Sequence, residues 1–263
     1  MSKIHLSVII PAYNEEENFH TGSLELVYTF LKGERKSFEL VLVNDGSTDK
    51  TKRLLTAFAR DKKEVRVKTI PHAGKGQALI AGMLSAKGTW RLFTDFDQAT
   101  PITELNKLMG YTQKGYDIVI GSRTLGKAKR HNDPIYRRFM GWGFRMLVHH
   151  LIYNGISDTQ CGFKLFRDKV AVQLFSSLVV CGQAKKEKNA YTGAIDVELL
   201  FLAAKDNYRV KEVPVFWQHV HTNRVNPLRD SARMFMELVK IRWTHLTGGY
   251  NETNRVALSM DTR

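Results

Sequence analysis

Four times in its first hundred residues this chain passes from a short apolar segment, through a polar turn, into a stretch of helical character. That alternation constrains its fold more than any other feature. Leu6 to Ile10 is a continuous apolar run rich in β-branched residues, the pattern of a strand covered on both faces. Leu40 to Val43 repeats it, and Val65 to Ile70 and Trp90 to Phe93 follow. After the first run, Glu15-Glu16-Glu17 supplies the acidic first turn of a helix reaching about Lys32. After the second, Asn44 to Asp49 turns into another helix; after the third, His72-Ala73-Gly74-Lys75-Gly76 leads into a helix over Gln77 to Lys87. Repeated strand–turn–helix units close by right-handed crossovers, so an α/β class is predicted, with a mainly parallel central sheet flanked by helices. Ligands of such sheets bind beyond the carboxyl ends of the strands. Tyr13, Asp45, Lys75 and Asp95 each lie in or just after a turn that leaves a strand, and all four are expected on one rim.

The fourth turn carries the sharpest chemistry. Asp95 and Asp97 stand two apart, a spacing that points both carboxylates the same way in extended backbone. Two like charges held so close cost energy unless a cation lies between them, and a hard divalent ion with oxygen ligands meets that need. The competing reading is a solvated strand end that happens to be acidic. Charge balance adds an anionic partner: 40 Lys and Arg against 26 Asp and Glu give a formal +14 over 263 residues. Nucleic acid, a phosphate-bearing metabolite or an anionic membrane surface all satisfy it. Two cysteines, Cys161 and Cys181, are too few for a disulfide framework and point to a reducing cytosol. Met1-Ser2-Lys3-Ile4 leads straight into the first strand, with no apolar signal region. No run approaches the ~18 apolar residues of a membrane span, so any work at a membrane is done lying on it.

The second half is less regular. Tyr116 to Ile120 reads as a strand ending in Gly121-Ser122-Arg123. Segment 121–150 then sets Arg123, Lys127, Lys129, Arg130, Arg137, Arg138 and Arg145 against Asp133 alone. Ile135, Phe139, Trp142, Met146 and Tyr153 recur there at helical spacing, as do Arg138, Gly141, Arg145 and His149, which reads as a basic amphipathic helix. Asp158 to Phe166 is a turn entering a short strand, Ile195 to Lys205 a helix carrying Glu198, and Tyr208 to Val213 a strand. Pro227 opens a last helix to about Leu246, with Arg229, Arg233 and Lys240 on one side and Ala232, Phe235, Val239 and Trp243 elsewhere. With no internal repeat and no linker, one domain over 1–247 is expected, then a loose polar tail over 248–263; Gln183 to Tyr191 reads as a surface loop.

The ordered set Val8-Ile9-Ile10-Pro11-Ala12-Tyr13-Asn14-Glu15, Val43-Asn44-Asp45-Gly46-Ser47-Thr48-Asp49, Gly74-Lys75-Gly76 and Asp95-Phe96-Asp97 resembles glycosyltransferase family 2, whose members share the Rossmann-like GT-A fold. Ala99-Thr100-Pro101, Gly121-Ser122-Arg123, the run from Asp158 to Phe166 and Asp196-Val197-Glu198-Leu199-Leu200 look like its dolichyl-phosphate (polyprenyl-phosphate) β-glucosyltransferase branch, the match covering about residues 4 to 245. The resemblance implies an inverting hexosyl transfer from a UDP-sugar, UDP-glucose, to a polyprenyl phosphate, on the cytosolic face of a membrane, with Mg²⁺ or Mn²⁺. By position it implies that Pro11, Tyr13, Glu15 and Asp45 hold the uracil and ribose and that Lys75 reaches the nucleotide. Asp95 and Asp97 would serve the diphosphate and its metal, and Arg123 with Arg137 and Arg138 would receive the acceptor phosphate. The chain departs from related lipid-phosphate mannosyltransferases at Ala99, where those carry a Gln that ligates metal; here Gln98 stands one place early. The N-terminal anchor of the eukaryotic branch has no counterpart here, and nor does the insertion around Lys185-Lys186-Glu187-Lys188.

Each residue has a plainer reading beside the functional one. Arg123 either binds phosphate or makes a structural salt bridge. Arg137 and Arg138, being adjacent, cannot both face one way on a helix, and Arg138 is slightly preferred. Lys75 between two glycines either approaches a ligand or is a flexible basic turn. Asp45 is a ribose ligand or a helix-capping residue. Asp158 orients an arginine or the acceptor, or only fixes its turn. Arg224 either touches the diphosphate from a closing loop or does not. Cys161 reads as a small buried residue, and His149 and His150 as packing or surface residues. A basic nucleic-acid-binding protein lacks every expected signature, and a nicotinamide-dependent enzyme lacks its G-x-G-x-x-G at the first strand. The same fold with another sugar nucleotide or a non-lipid acceptor is the nearest rival.

Overall fold

The computed structural model describes residues 4–131, 135–152, 155–182, 193–220 and 227–251, with the side chains of 135–141, 151 and 227–230 outside that description. Strands β1 (Leu6–Ala12), β2 (Phe38–Asp45), β3 (Val65–Ile70) and β4 (Trp90–Phe93) run parallel. They are followed along the chain by β5 (Ile118–Ser122), β6 (Lys129–His131), β7 (Lys164–Arg167), β8 (Val210–Pro214) and β9 (Phe216–Gln218). The central sheet has seven strands in the order β3-β2-β1-β4-β7-β5-β8, and β6 and β9 form a separate parallel pair. The helices are α1 (Glu16–Phe19), α2 (Ser23–Gly33), α3 (Thr51–Ala59), α4 (Lys75–Ser85), α5 (Leu105–Thr112), α6 (Ile135–Leu151), α7 (Asp168–Ser176), α8 (Ile195–Lys205) and α9 (Pro227–Leu246).

The β-branched runs become strands because both faces are covered. Ile9, Val41, Val43, Phe93, Ile118 and Ile120 face α4, α7 and α8, while Val8, Ile10, Leu40, Leu42 and Leu92 face α2, α3 and α5. Each such fully buried aliphatic side chain contributes about 1.5–3 kcal/mol. Helix α4 crosses close over β1 and β2 at Gly82, where a Cβ would come within 2.5 Å of Ile9 Cγ2. That contact sets how near the N-terminus of α4 lies to the strand ends.

The structure departs from the sequence expectations in three places. The single helix expected to Lys32 is broken by Gly22, whose left-handed backbone (φ 79°) separates α1 from α2. The helix expected from Gln77 begins at Lys75. The sheet is mainly parallel, as expected, with β7 alone inserted antiparallel, between β4 and β5, and Leu165 and Phe166 of that strand are both buried. The polar tail is not loose from Gly248, because Tyr250 is buried and its hydroxyl donates to Glu198 Oε1 at 2.7 Å. Residues 252–263 and the segment 183–192 lie outside the described residues.

Strand β1 has β2 on one side and β4 on the other, so strand order reverses between β1 and β4, and a crevice opens at their carboxyl ends. Tyr13, Asp45, Lys75 and Asp95 all stand on that rim.

Candidate active site

The two loops nearest the crevice brace each other. Asn14 takes the left-handed conformation (φ 52°), its N–H donates to Ser47 Oγ at 3.1 Å, and its Oδ1 accepts from the Thr48 N–H at 2.9 Å. The Glu15 N–H donates to Thr51 Oγ1 at 2.7 Å, fixing the half-buried Glu15 at the mouth. Pro11 lies inside β1, buried below them.

Asp45 organises the next loop. Its carboxylate is buried and accepts from His72 Nδ1 at 2.8 Å and from the N–H groups of Ala73 and Gly74, each at 2.9 Å. The Asp45 carbonyl is also 3.1 Å from Nδ1; both neighbours are acceptors, so Nδ1 carries the proton. The His72 ring stacks on Tyr13 with centroids 3.9 Å apart and planes 9° from parallel, giving the rim a flat aromatic surface. Sequence reasoning missed His72. Its place follows from the strand register, which only the fold shows: Asp45 pairs with Ile70, so the residue two beyond Ile70 falls beside it.

Gly74 (φ 91°) then aims Lys75 into the crevice. The Lys75 ammonium bonds Asp95 Oδ1. Burial alone would lower the pKa of that ammonium, yet Asp95, Asp196 and Asp97 together hold it above its ordinary value. Asp97 accepts the Ala99 N–H at 3.0 Å, and its pKa is pushed up to about 6, first by burial and then by the charge of Asp95. A carboxylate so disfavoured is one that a cation would stabilise. Gln98 takes a left-handed backbone (φ 51°) and turns its amide nitrogen onto the Asp95 carbonyl at 2.7 Å, bracing the loop.

Across the crevice, Arg123 at the end of β5 forks onto Asp158: Nε to Oδ2 and Nη2 to Oδ1 are both 2.8 Å, and the Arg123 N–H adds a third bond of 2.8 Å. Glu212 on β8 accepts the N–H groups of Ser157 and Asp158 at 2.8 and 2.9 Å, holding the turn. Burial works against both charges, but the partner outweighs it: the pKa of Asp158 falls to about 2, and that of Arg123 rises. The guanidinium also lies 5.6 Å from the Trp217 ring centroid. Strand β9 reaches back to the acidic loop, its Gln218 N–H donating to the Ala99 carbonyl at 2.8 Å. The structure therefore pairs Arg123 with Asp158 and brings them to the same crevice as Asp95. Arg137 and Arg138 lie on α6 with side chains outside the described residues, as is Arg224.

Beneath this rim are buried charges that lie in motif segments of the sequence but were given no role there. The ammonium of Lys164, fully buried on β7, bonds Asp196 and the Cys161 carbonyl. Glu198, one turn into α8, accepts the N–H groups of Val179, Val180 and Cys181 at 2.7–2.8 Å besides the Tyr250 hydroxyl. Both cysteines are free thiols, and burial raises the pKa of each, that of Cys161 to about 11.

Among the described residues no group of three or more His, Cys, Asp or Glu side chains could hold a metal. Asp95 and Asp97 nonetheless fit a hard divalent ion that takes its remaining oxygens from phosphate and water, since both are oxygen donors and Asp97 is held in want of a cation.

The comparisons with known proteins agree with this architecture. The glycosyl transferase family 2 model matches residues 7–175. A dolichyl-phosphate beta-glucosyltransferase of Dictyostelium discoideum is 32% identical over 262 residues, covering 94% of this chain and 77% of its own. The fold is shared with glucosyl-3-phosphoglycerate synthase from Mycobacterium tuberculosis in complex with phosphoglyceric acid, at a TM-score of 0.63 and 18% identity over 91% of this chain and 80% of that one. It is shared also with a mannosyltransferase from Pyrobaculum calidifontis in complex with GDP-Man and Mn²⁺, at a TM-score of 0.56 and 15% identity over 99% and 74%. A crevice rimmed by Asp45, Lys75, Asp95 and Arg123, on a sheet of this order, thus stands in a chain that belongs to glycosyl transferase family 2: it is a glycosyltransferase with the GT-A fold.

Proposed function

We propose that this enzyme moves glucose from UDP-glucose to a polyprenyl phosphate with inversion at the anomeric carbon, while lying on the cytosolic face of an anionic membrane. The observation that carries the reading is the opposition, in one crevice, of the Asp95–Asp97 carboxylates and the Arg123 guanidinium locked by Asp158. A diphosphate leaving group and a phosphate nucleophile need these two environments, and the similarity to a dolichyl-phosphate beta-glucosyltransferase over most of the chain supports the acceptor class.

The stacked Tyr13 and His72 rings offer the uracil a flat face, with Glu15 and Pro11 beside it. Asp45 acts on the ribose side chiefly through the loop it holds. Lys75 and Arg224 are assigned to the donor phosphates. Asp97, assisted by Asp95, would hold Mg²⁺ or Mn²⁺, which supplies neutralisation of the charge that grows on the diphosphate as the glycosidic bond breaks. Arg123, with Arg137 and Arg138, positions the acceptor phosphate. An oxygen of that phosphate attacks the anomeric carbon as the bond to UDP breaks. With a second pKa near ~6, the acceptor is already an anion and needs orientation more than a strong base.

The test is incubation with labelled UDP-glucose and a short polyprenyl phosphate, with and without EDTA. Lipid-linked glucose that disappears in EDTA, and in Asp97→Ala of unchanged circular dichroism, is expected. Full activity in EDTA would refute the metal assignment. Transfer from another sugar nucleotide, or to a non-lipid acceptor alone, would replace the substrate assignment.

A further inference from the structure

We infer that the paired outer faces of α6 and α9 form a bilayer-docking surface that inserts apolar side chains at the boundary between lipid headgroups and acyl chains. The inference rests on the lipid acceptor proposed above and says how the enzyme meets it. The two helices pack against each other. Each is fastened on its inner side to the floor of the crevice. Val148 of α6 and Leu238 and Ile241 of α9 enter the core. His149 Nε2 is 3.0 Å from the Ile156 carbonyl, on the turn that carries Asp158, and Glu237 accepts the Ala194 N–H at 2.7 Å, at the entrance to α8 and Asp196.

The outward faces carry large apolar side chains: Trp142 (56% exposed) and Met146 on α6, and Met236, Val239, Trp243 (68%) and Leu246 (65%) on α9. At 3.6 residues per turn, the α9 residues and the exposed Phe235 fall within an arc of about 100°, well away from Leu238 and Ile241. Exposed Arg242 and Lys240 stand on the two edges of that arc. Among the described side chains the outward stripe is apolar, with its cations at the margin; on α6, Arg145 is half-buried.

Contiguous exposed apolar surface of this kind marks an interaction site. Tryptophans with an apolar body and polar N–H, edged by cations that meet headgroup phosphates, are the composition of a helix lying in a membrane interface. No helix among the described residues is long and apolar enough to cross a membrane, so the pair lies on the bilayer. Because both helices anchor the Asp158 and Asp196 segments, a surface-bound lipid phosphate would arrive beside Arg123. Attraction through apolar insertion, unlike surface charge, withstands salt.

The full chain is floated with vesicles of phosphatidylcholine alone and with added phosphatidylglycerol, at about 0.1 M and about 0.5 M salt. Capture by neutral vesicles that persists at high salt is expected, with Trp243→Glu and Met236→Glu each lowering it by about tenfold or more. Those exposed substitutions should leave the melting temperature, and transfer to a water-soluble short-chain acceptor, unchanged. Capture only by anionic vesicles, abolished by salt, would overturn the inference. So would no capture, or a dimer in solution that Trp243→Glu dissociates, which would make the face a contact between copies of this chain. Vesicle capture is read without any sugar transfer. Failure of the proposed reaction would instead show as no transfer to either acceptor while capture persists.

Discussion

Gly162 abuts the carboxylate of Asp95 so closely that a Cβ built on it would lie 2.2 Å from Asp95 Oδ2. The residue before it, Cys161, has its carbonyl pinned by the buried Lys164 ammonium. The turn after Asp158 is thus a shelf on which Asp95 rests, with Lys75 closing the other oxygen.

Gly162→Ala tests that shelf. The Ala methyl must displace the carboxylate, and misplacement of about 1 Å in a reacting constellation costs on the order of a hundredfold. A fall of that size in kcat/KM is expected, with a raised Mn²⁺ requirement and a far-UV spectrum like that of the parent. Unchanged kinetics would show that Asp95 does not depend on the contact.

Lys75→Met tests competition for the same carboxylate. Asp95 would then lose its ammonium partner, and Asp97 and Asp196 the positive charge near them. Mn²⁺ binding without donor should tighten severalfold, because the resident cation is gone, while turnover falls. Isothermal titration and initial rates read the two effects separately; weaker Mn²⁺ binding would contradict the arrangement.

Asp158→Asn tests the pH dependence of the Arg123 pair. The carboxyl pKa is depressed from 3.8 to about 2 in the folded state. Its contribution, on the order of 2 kcal/mol, is present above pH ~4 and is lost as pH falls through ~2. Denaturant unfolding at stepped pH should show parent and variant far apart at pH ~5 and converging toward pH ~2. A gap that stays constant over that range would exclude the pairing.

Glu198→Gln tests the floor. The amide oxygen can keep the Val179 and Val180 N–H groups and the Tyr250 hydroxyl that now meet Oε1, but the amide nitrogen then faces the Cys181 N–H that Oε2 accepts, inside a fully buried site. A loss of about 1–3 kcal/mol is expected from the Cys181 N–H left without its acceptor, and about 1–2 kcal/mol for Tyr250→Phe. Thermal unfolding measures both; equal stability of parent and Glu198→Gln would refute the network.

Much of this protein was decided locally and could be read along the chain. Buried-strand runs at Leu6, Leu40, Val65 and Trp90, each followed by a polar turn, dictate parallel βαβ units, and parallel units put Tyr13, Asp45, Lys75 and Asp95 on one rim whatever the details of packing. The Asp95–Asp97 spacing and the motifs around it also identified the family, since these are contiguous in sequence.

Tertiary structure decided what depends on partners distant in the chain. The role of Asp158 was open until a fork to Arg123, 35 residues away, closed one of its alternatives. The partners of His72, Lys164, Asp196 and Glu198 could not be read locally, because a buried charge is tolerated only by the donors and acceptors that folding brings to it. The antiparallel insertion of β7 follows from hydrogen-bond pairing, which composition does not encode. The two outer helices show the same division. Their amphipathic character is periodic and local, but which stripe faces outward was settled by the core that Val148, Leu238 and Ile241 joined.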